Sequence, residues 1–89
     1  MSPLPPPLPD IERLRWQCRR GMLELDYLLR DFLDCGYAEL SDRRKRDFVR
    51  LLELADPVLY DWLMGGEAPE EPAMRDLIGL IRARASSGE

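Results

Sequence analysis

The chain has 89 residues, 45% of them hydrophobic, and sets 13 Lys and Arg against 17 Asp and Glu for a net charge of −4. A chain of this length closes around one small core, and its acidic balance gives no general attraction to nucleic acid or to anionic membranes. It contains no histidine. That removes the commonest metal ligand and the usual general base near neutral pH, and excludes a Ser-His-Asp triad or Cys-His pair built from this chain alone.

Residues 1–9, MSPLPPPLP, predict a flexible proline-rich tail that samples polyproline II, with a single domain over 10–85 and a frayed end at 86–89. The start has no cationic segment followed by an apolar one, as a signal peptide requires, and no arginine-rich amphipathic presequence. No apolar run approaches the roughly 20 residues of a bilayer span. The expectation is a cytoplasmic bacterial protein with no membrane insertion.

Asp10 reads as the N-cap of a first helix whose apolar positions are Ile11, Leu14 and Cys18. Arg19 and Arg20 then complement the dipole in its last turn, and Gly21 stops it. A second helix over 22–35 carries the stripe Met22, Leu25, Leu29, Phe32 and Leu33 and ends at Gly36. Ser41 caps a third, SDRRKRDFVRLLELA, with Phe48, Leu51, Leu52 and Ala55 as its buried face. Asp56-Pro57 reads as an N-cap followed by proline at the first position of a fourth, short helix. Its inward residues are Val58, Leu59, Trp62 and Leu63, and Gly65-Gly66 ends it. Pro72 opens a fifth helix facing inward through Met74, Leu77, Ile78 and Ile81. No segment sustains two-residue alternation, so the predicted fold is all-α, a compact bundle of five short helices.

Three features invite chemical readings. Cys18 and Cys35 are too far apart for a CxxC motif and read as buried free thiols acting as small hydrophobes. The carboxylates Glu53, Asp56, Asp61, Glu67, Glu70 and Glu71 are spread over a cap, a helix and a loop, which argues against convergence on a metal. Arg43 to Arg46 form a basic run at the start of a helix, where cations oppose the dipole. The run reads as a solvated face or a nucleic-acid patch, but Asp42 and Asp47 flank it and no aromatic residues alternate with it.

The stretch CRRGMLE has two readings from residue physics. Gly21 can close one helix and serve as N-cap of the next, with Glu24 at the third position, near the free backbone N–H groups. Alternatively, bare backbone at Gly21, between an arginine and a carboxylate, admits close contact with another protein.

Read at greater length, W-x-C-R-R-G-M-x-E-L-D at 16–26 resembles the signature of the succinate dehydrogenase flavinylation assembly-factor family. Its RGxxE core is matched by Arg20, Gly21 and Glu24. The likeness continues in L-S-D at 40–42, R-L-L-E at 50–53 and D-P-x-L-Y-x-W-L-M at 56–64, in order, over about residues 11–84. The resemblance implies a five-helix, non-enzymatic chaperone that binds the flavoprotein subunit of succinate dehydrogenase, and in bacteria often fumarate reductase. It implies promotion of covalent FAD attachment to a histidine of that client. By the same resemblance Gly21 is the close-approach point, Arg20 a charge-assisted donor, and Glu24 an acceptor for a client cation or an orienter of Arg20. Trp16, Arg19, Met22 and Asp26 flank the motif as further partner-binding candidates. Asp56 and Trp62 match the second block but read equally as cap and core. Without a Gly-rich phosphate loop, the isolated chain is expected to hold no FAD tightly. Two departures from the pattern are the proline-rich start and Arg43 with Arg44 in a helix's first turn. The rival readings are a small nucleic-acid-binding module and an antitoxin-like interaction module.

Overall fold

The computed structural model describes residues 8–87. Residues 1–7 of the expected tail and 88–89 of the expected frayed end lie outside them. The order is α1 (Ile11–Gln17), α2 (Leu23–Cys35), α3 (Asp42–Leu52), α4 (Asp56–Met64) and α5 (Pro72–Ser87), with a 3-10 turn at Tyr37–Glu39. Among the described residues there is no strand. None of these helices is long and apolar enough to cross a membrane.

The core forms where the apolar periodicities converge. Leu14 and Cys18 from α1 and its cap meet Leu25, Leu29, Phe32 and Leu33 of α2, Phe48, Leu51 and Leu52 of α3, Leu59 and Leu63 of α4, and Met74, Leu77, Ile78 and Ile81 of α5. Full burial of such a side chain contributes about 1.5–3 kcal/mol, so helices this short are held by packing rather than by propensity. The last helix packs against α2, α3 and α4, while α1 lies on α2.

Several boundaries shift from their expected places. The first helix ends at Gln17 with Cys18 as C-cap, so Arg19 and Arg20 lie beyond its last turn. Met22, not Gly21, is the N-cap of α2, which puts Glu24 at the second helical position rather than the third. Ala55, not Asp56, precedes α4, and Asp56 is its first residue. Ile11 and Val58 lie in the first turns of α1 and α4 and Ala55 in the link between α3 and α4, so all three are exposed, while Trp62 is half-buried. Cys35, expected to be buried, is exposed as the last residue of α2. The 3-10 turn was not expected; it buries Tyr37, whose ring lies 5.4 Å from that of Phe48.

Other local signals act as expected. Ser41 caps α3, its hydroxyl accepting the Arg44 N–H at 3.3 Å. Gly65, at φ +91°, takes the left-handed conformation that closes α4. The loop before α5 is held by Arg75, which donates to the carbonyls of Pro69 and Glu70 at 3.1 and 2.8 Å. Arg50 pairs with Glu71 at 2.7 Å, which lowers the carboxylate's pKa through that hydrogen bond.

Candidate functional site

Between α1 and α2 the backbone reverses through Cys18 to Met22. Gly21 stands at φ +78°, and a Cβ built there would meet nothing within 4 Å. Glycine is therefore required by the backbone conformation, not by crowding, since a side chain in this region costs about 1–2 kcal/mol. The residue is exposed.

The two acidic residues after the turn are used differently. Asp26 reaches back: its Oδ1 accepts the N–H of Arg20 at 2.7 Å, and its Oδ2 that of Gly21 at 3.2 Å. This fixes both peptide groups of the turn, the task sequence reasoning gave to Glu24. Glu24 itself is exposed, and its side chain has no hydrogen-bond or ion-pair partner among the described residues.

Arg20 turns into the fold. Its side chain is only 14% exposed. Its Nε donates to the carbonyl of Gln17 at 2.9 Å, Nη1 to that of Leu54 at 3.1 Å and to Asp56 Oδ1 at 3.2 Å. A further donor, Nη2, bonds the carbonyl of Leu52. One guanidinium thus ties the end of α1 to the α3–α4 junction, occupying carbonyls that helix ends leave open. The expectation that Glu24 orients Arg20 is corrected: the orienting groups are these carbonyls and Asp56.

Cys18 lies buried under the same turn, and burial pushes its thiol up to about 11 despite the opposing pull of Arg20 and Arg15. Met22 is half-buried against the core. Outside, Trp16 is 71% exposed, with the Arg19 guanidinium 5.3 Å from its ring centre. With Glu12 and Arg15 they line a shallow depression of about 330 Å³.

Of the seven predicted partner-binding residues, Trp16, Arg19, Gly21 and Glu24 are thus exposed around the turn. Arg20 and Asp26 build it from within. Sequence reasoning passed over Leu23 and Tyr27, which are 87% and 57% exposed beside Glu24. Their signal was present: both are apolar yet fall off the Met22–Leu25–Leu29 stripe.

The basic run is not a uniform face. Arg43 is exposed, Arg44, Lys45 and Arg46 are half-buried, and the Lys45 ammonium lies 5.4 Å from the Tyr37 ring centre. Asp47 is buried, its carboxylate accepting from Arg50 at 3.1 Å. Among the described residues no group of three or more cysteines and carboxylates is gathered as a metal would require.

A family model described as "Flavinator of succinate dehydrogenase" matches residues 12–85. The FAD assembly factor SdhE of Shewanella oneidensis is 48% identical over 79 residues, which cover 89% of this chain and 96% of the relative. Its namesake in Idiomarina loihiensis is 46% identical over 77 residues, 86% of each chain. That of Coxiella burnetii is 43% identical over 75 residues, 84% of this chain and 92% of its own.

Proposed function

Because the chain belongs to the family described as flavinator of succinate dehydrogenase, we propose that it is a non-enzymatic assembly factor for covalent flavin attachment. Its client is the flavoprotein subunit of succinate dehydrogenase and, where a cell makes one, of fumarate reductase. The work is done in the cytoplasm.

The observation that carries this reading is the Gly21 turn: bare, exposed backbone in a conformation only glycine adopts comfortably, built by Asp26 from below and bordered by a carboxylate with no partner of its own. Such a turn lets another backbone approach closely. Trp16, Arg19, Gly21 and Glu24 touch the client, whereas Arg20, Met22 and Asp26 hold those residues in place.

The mechanism is positioning. The flavin ring supplies the electrophile and a client histidine the nucleophile. This chain, lacking histidine, contributes by holding the client in an arrangement that favours attack. It holds no FAD tightly alone, so calorimetry with free FAD should show no micromolar binding.

Deleting the gene should leave the client subunit with much less covalent flavin, read as in-gel fluorescence after denaturation. The wild-type gene should restore the signal and a Gly21→Arg variant should not. Undiminished fluorescence in the deletion strain would refute the proposal.

A further inference from the structure

The last helix packs inward on α2, α3 and α4, and on its outer side Asp76, Leu80 and Arg84 form an exposed ridge, four residues apart. Two depressions run beside this ridge. In one, of about 480 Å³, Leu80 and Arg84 face Leu40 and Arg44. In the other, of about 320 Å³, Asp76 and Ala73 face Arg43 and Arg44. Ser41 and Arg44 line both, so they make one groove along α5. Neither the Asp76 nor the Arg44 side chain has a hydrogen-bond or ion-pair partner among the described residues. Arg84 lies 3.7 Å from Asp31, and a guanidinium has donors for more than one carboxylate. Beside Leu80, itself 43% exposed, Gly79 is open: a Cβ there would meet nothing within 4 Å. Glycine weakens a helix interior, and no crowding inside the chain requires it here.

From this ridge we propose that two copies of the chain pair through α5, antiparallel, about a two-fold axis at Leu80. Asp76 and Arg84 each stand four residues from Leu80, on opposite sides. The two-fold rotation therefore sets each Asp76 beside the other copy's Arg84 and brings the two Leu80 side chains together. Each Asp76 enters the half of the groove that also holds Arg44. At Gly79 nothing holds the second backbone off. Charge selects this occupant. A foreign acidic segment would satisfy Arg44 and Arg84 but oppose Asp76, and a basic one would do the reverse, whereas a second copy supplies both signs in the required order. The net charge of −4 on each copy opposes association, but at about 0.15 M salt that repulsion is screened beyond about 8 Å, and pairs in contact keep their attraction. The groove reaches Gly36, at the end of α2 remote from Gly21, so pairing leaves both Gly21 turns open. The inference stands independently of the client reading.

The test is sedimentation equilibrium of the full chain from about 5 to about 500 µM. A single helix pair is a small interface, so a dissociation constant of about 50 µM is expected. Asp76→Arg and Arg84→Asp each set like charges in contact and should weaken the dimer at least about ten-fold. Mixed in equal amounts, the two variants should recover wild-type association, because the mixed pair has both contacts complementary. Leu80→Glu should abolish the dimer. Thermal midpoints should stay near wild type, since all three residues are exposed. A wild-type chain that stays monomeric throughout overturns the proposal. So does a dimer that survives Leu80→Glu or either charge reversal, since it must use another face. Failure of the mixture to associate, with both variants folded, overturns the antiparallel pairing. Loss of the wild-type dimer to a complex with an acidic protein on the same ridge would assign the groove to that partner and overturn it as well.

Discussion

Gly21 and Gly36 bound the same helix, yet a methyl group added to the first would touch nothing within 4 Å, while one added to the second would lie 2.9 Å from the Phe32 ring. Gly36 has an ordinary backbone, φ −117°, and is small because the core presses on it; Gly21 is left-handed and open. Around Gly36 the neighbours are Phe32, Leu33 and Tyr37, all buried. Around Gly21 they include Leu23, Glu24 and Tyr27, all exposed. One end of α2 completes the core and the other leaves apolar surface and a lone carboxylate outside. A glycine in a sequence therefore has no single meaning. Its φ and its free space together tell whether it serves packing or access.

The contrast can be broken most severely through Arg20. Arg20→Ala strips donors from the carbonyls of Gln17, Leu52 and Leu54 and from Asp56. The expected loss is about 3 kcal/mol in urea unfolding, since charge-assisted bonds contribute about 1.5–3 kcal/mol each but do not add fully. A midpoint within error of wild type would show that the clamp is inert. Next is Gly36→Ala, expected to cost about 2 kcal/mol by forcing the Phe32 ring aside, with client affinity unaltered. Gly21→Ala should cost about 1 kcal/mol through backbone strain alone. If the two alanine variants exchanged their effects, so that only Gly21→Ala disturbed Phe32 in a side-chain spectrum, the distinction would collapse.

Asp26→Asn sharpens the picture further. An amide keeps one acceptor for the two backbone donors, so the expected cost is about 1 kcal/mol. The largest amide shifts should appear at Arg20 and Gly21. The thiols give the smallest signal. Cys35 is exposed and Cys18 buried, so at mildly alkaline pH a disulfide reagent should titrate one thiol promptly and the other only on unfolding. With the Cys18 pKa raised from 9.0 to about 11, the folded state holds that proton more tightly than the unfolded one. Its stabilising contribution is complete below pH 9.0 and is lost as pH rises toward about 11. Cys18→Ala should flatten that decline.

Sequence periodicity was enough to find the five helices, because the buried stripes of α2, α3 and α5 are set by residues three and four apart. Gly65 and Pro72 carried their own stop and start signals. Cap positions slipped by one residue at Met22 and Ala55, where neither cap makes a side-chain bond and tertiary packing decides the boundary. The motif's location was legible; its division of labour was not. Nothing local to Arg20 announces that all but one of its side-chain acceptors lie 32 to 36 residues downstream. Asp26 was likewise hidden, since a carboxylate early in a helix reads first as a dipole partner and only a resolved turn shows what it grips.

Position 20 carries a practical consequence for genetics. A chain that has lost the Arg20 clamp unfolds more often, and a small change in the unfolded fraction alters how much protein a cell retains. Null phenotypes at this codon would then report scarcity, to be cured by overexpression or a cooler culture, whereas under the proposed client contact a faulty Glu24 would fail at any dose that leaves it outnumbered by its targets.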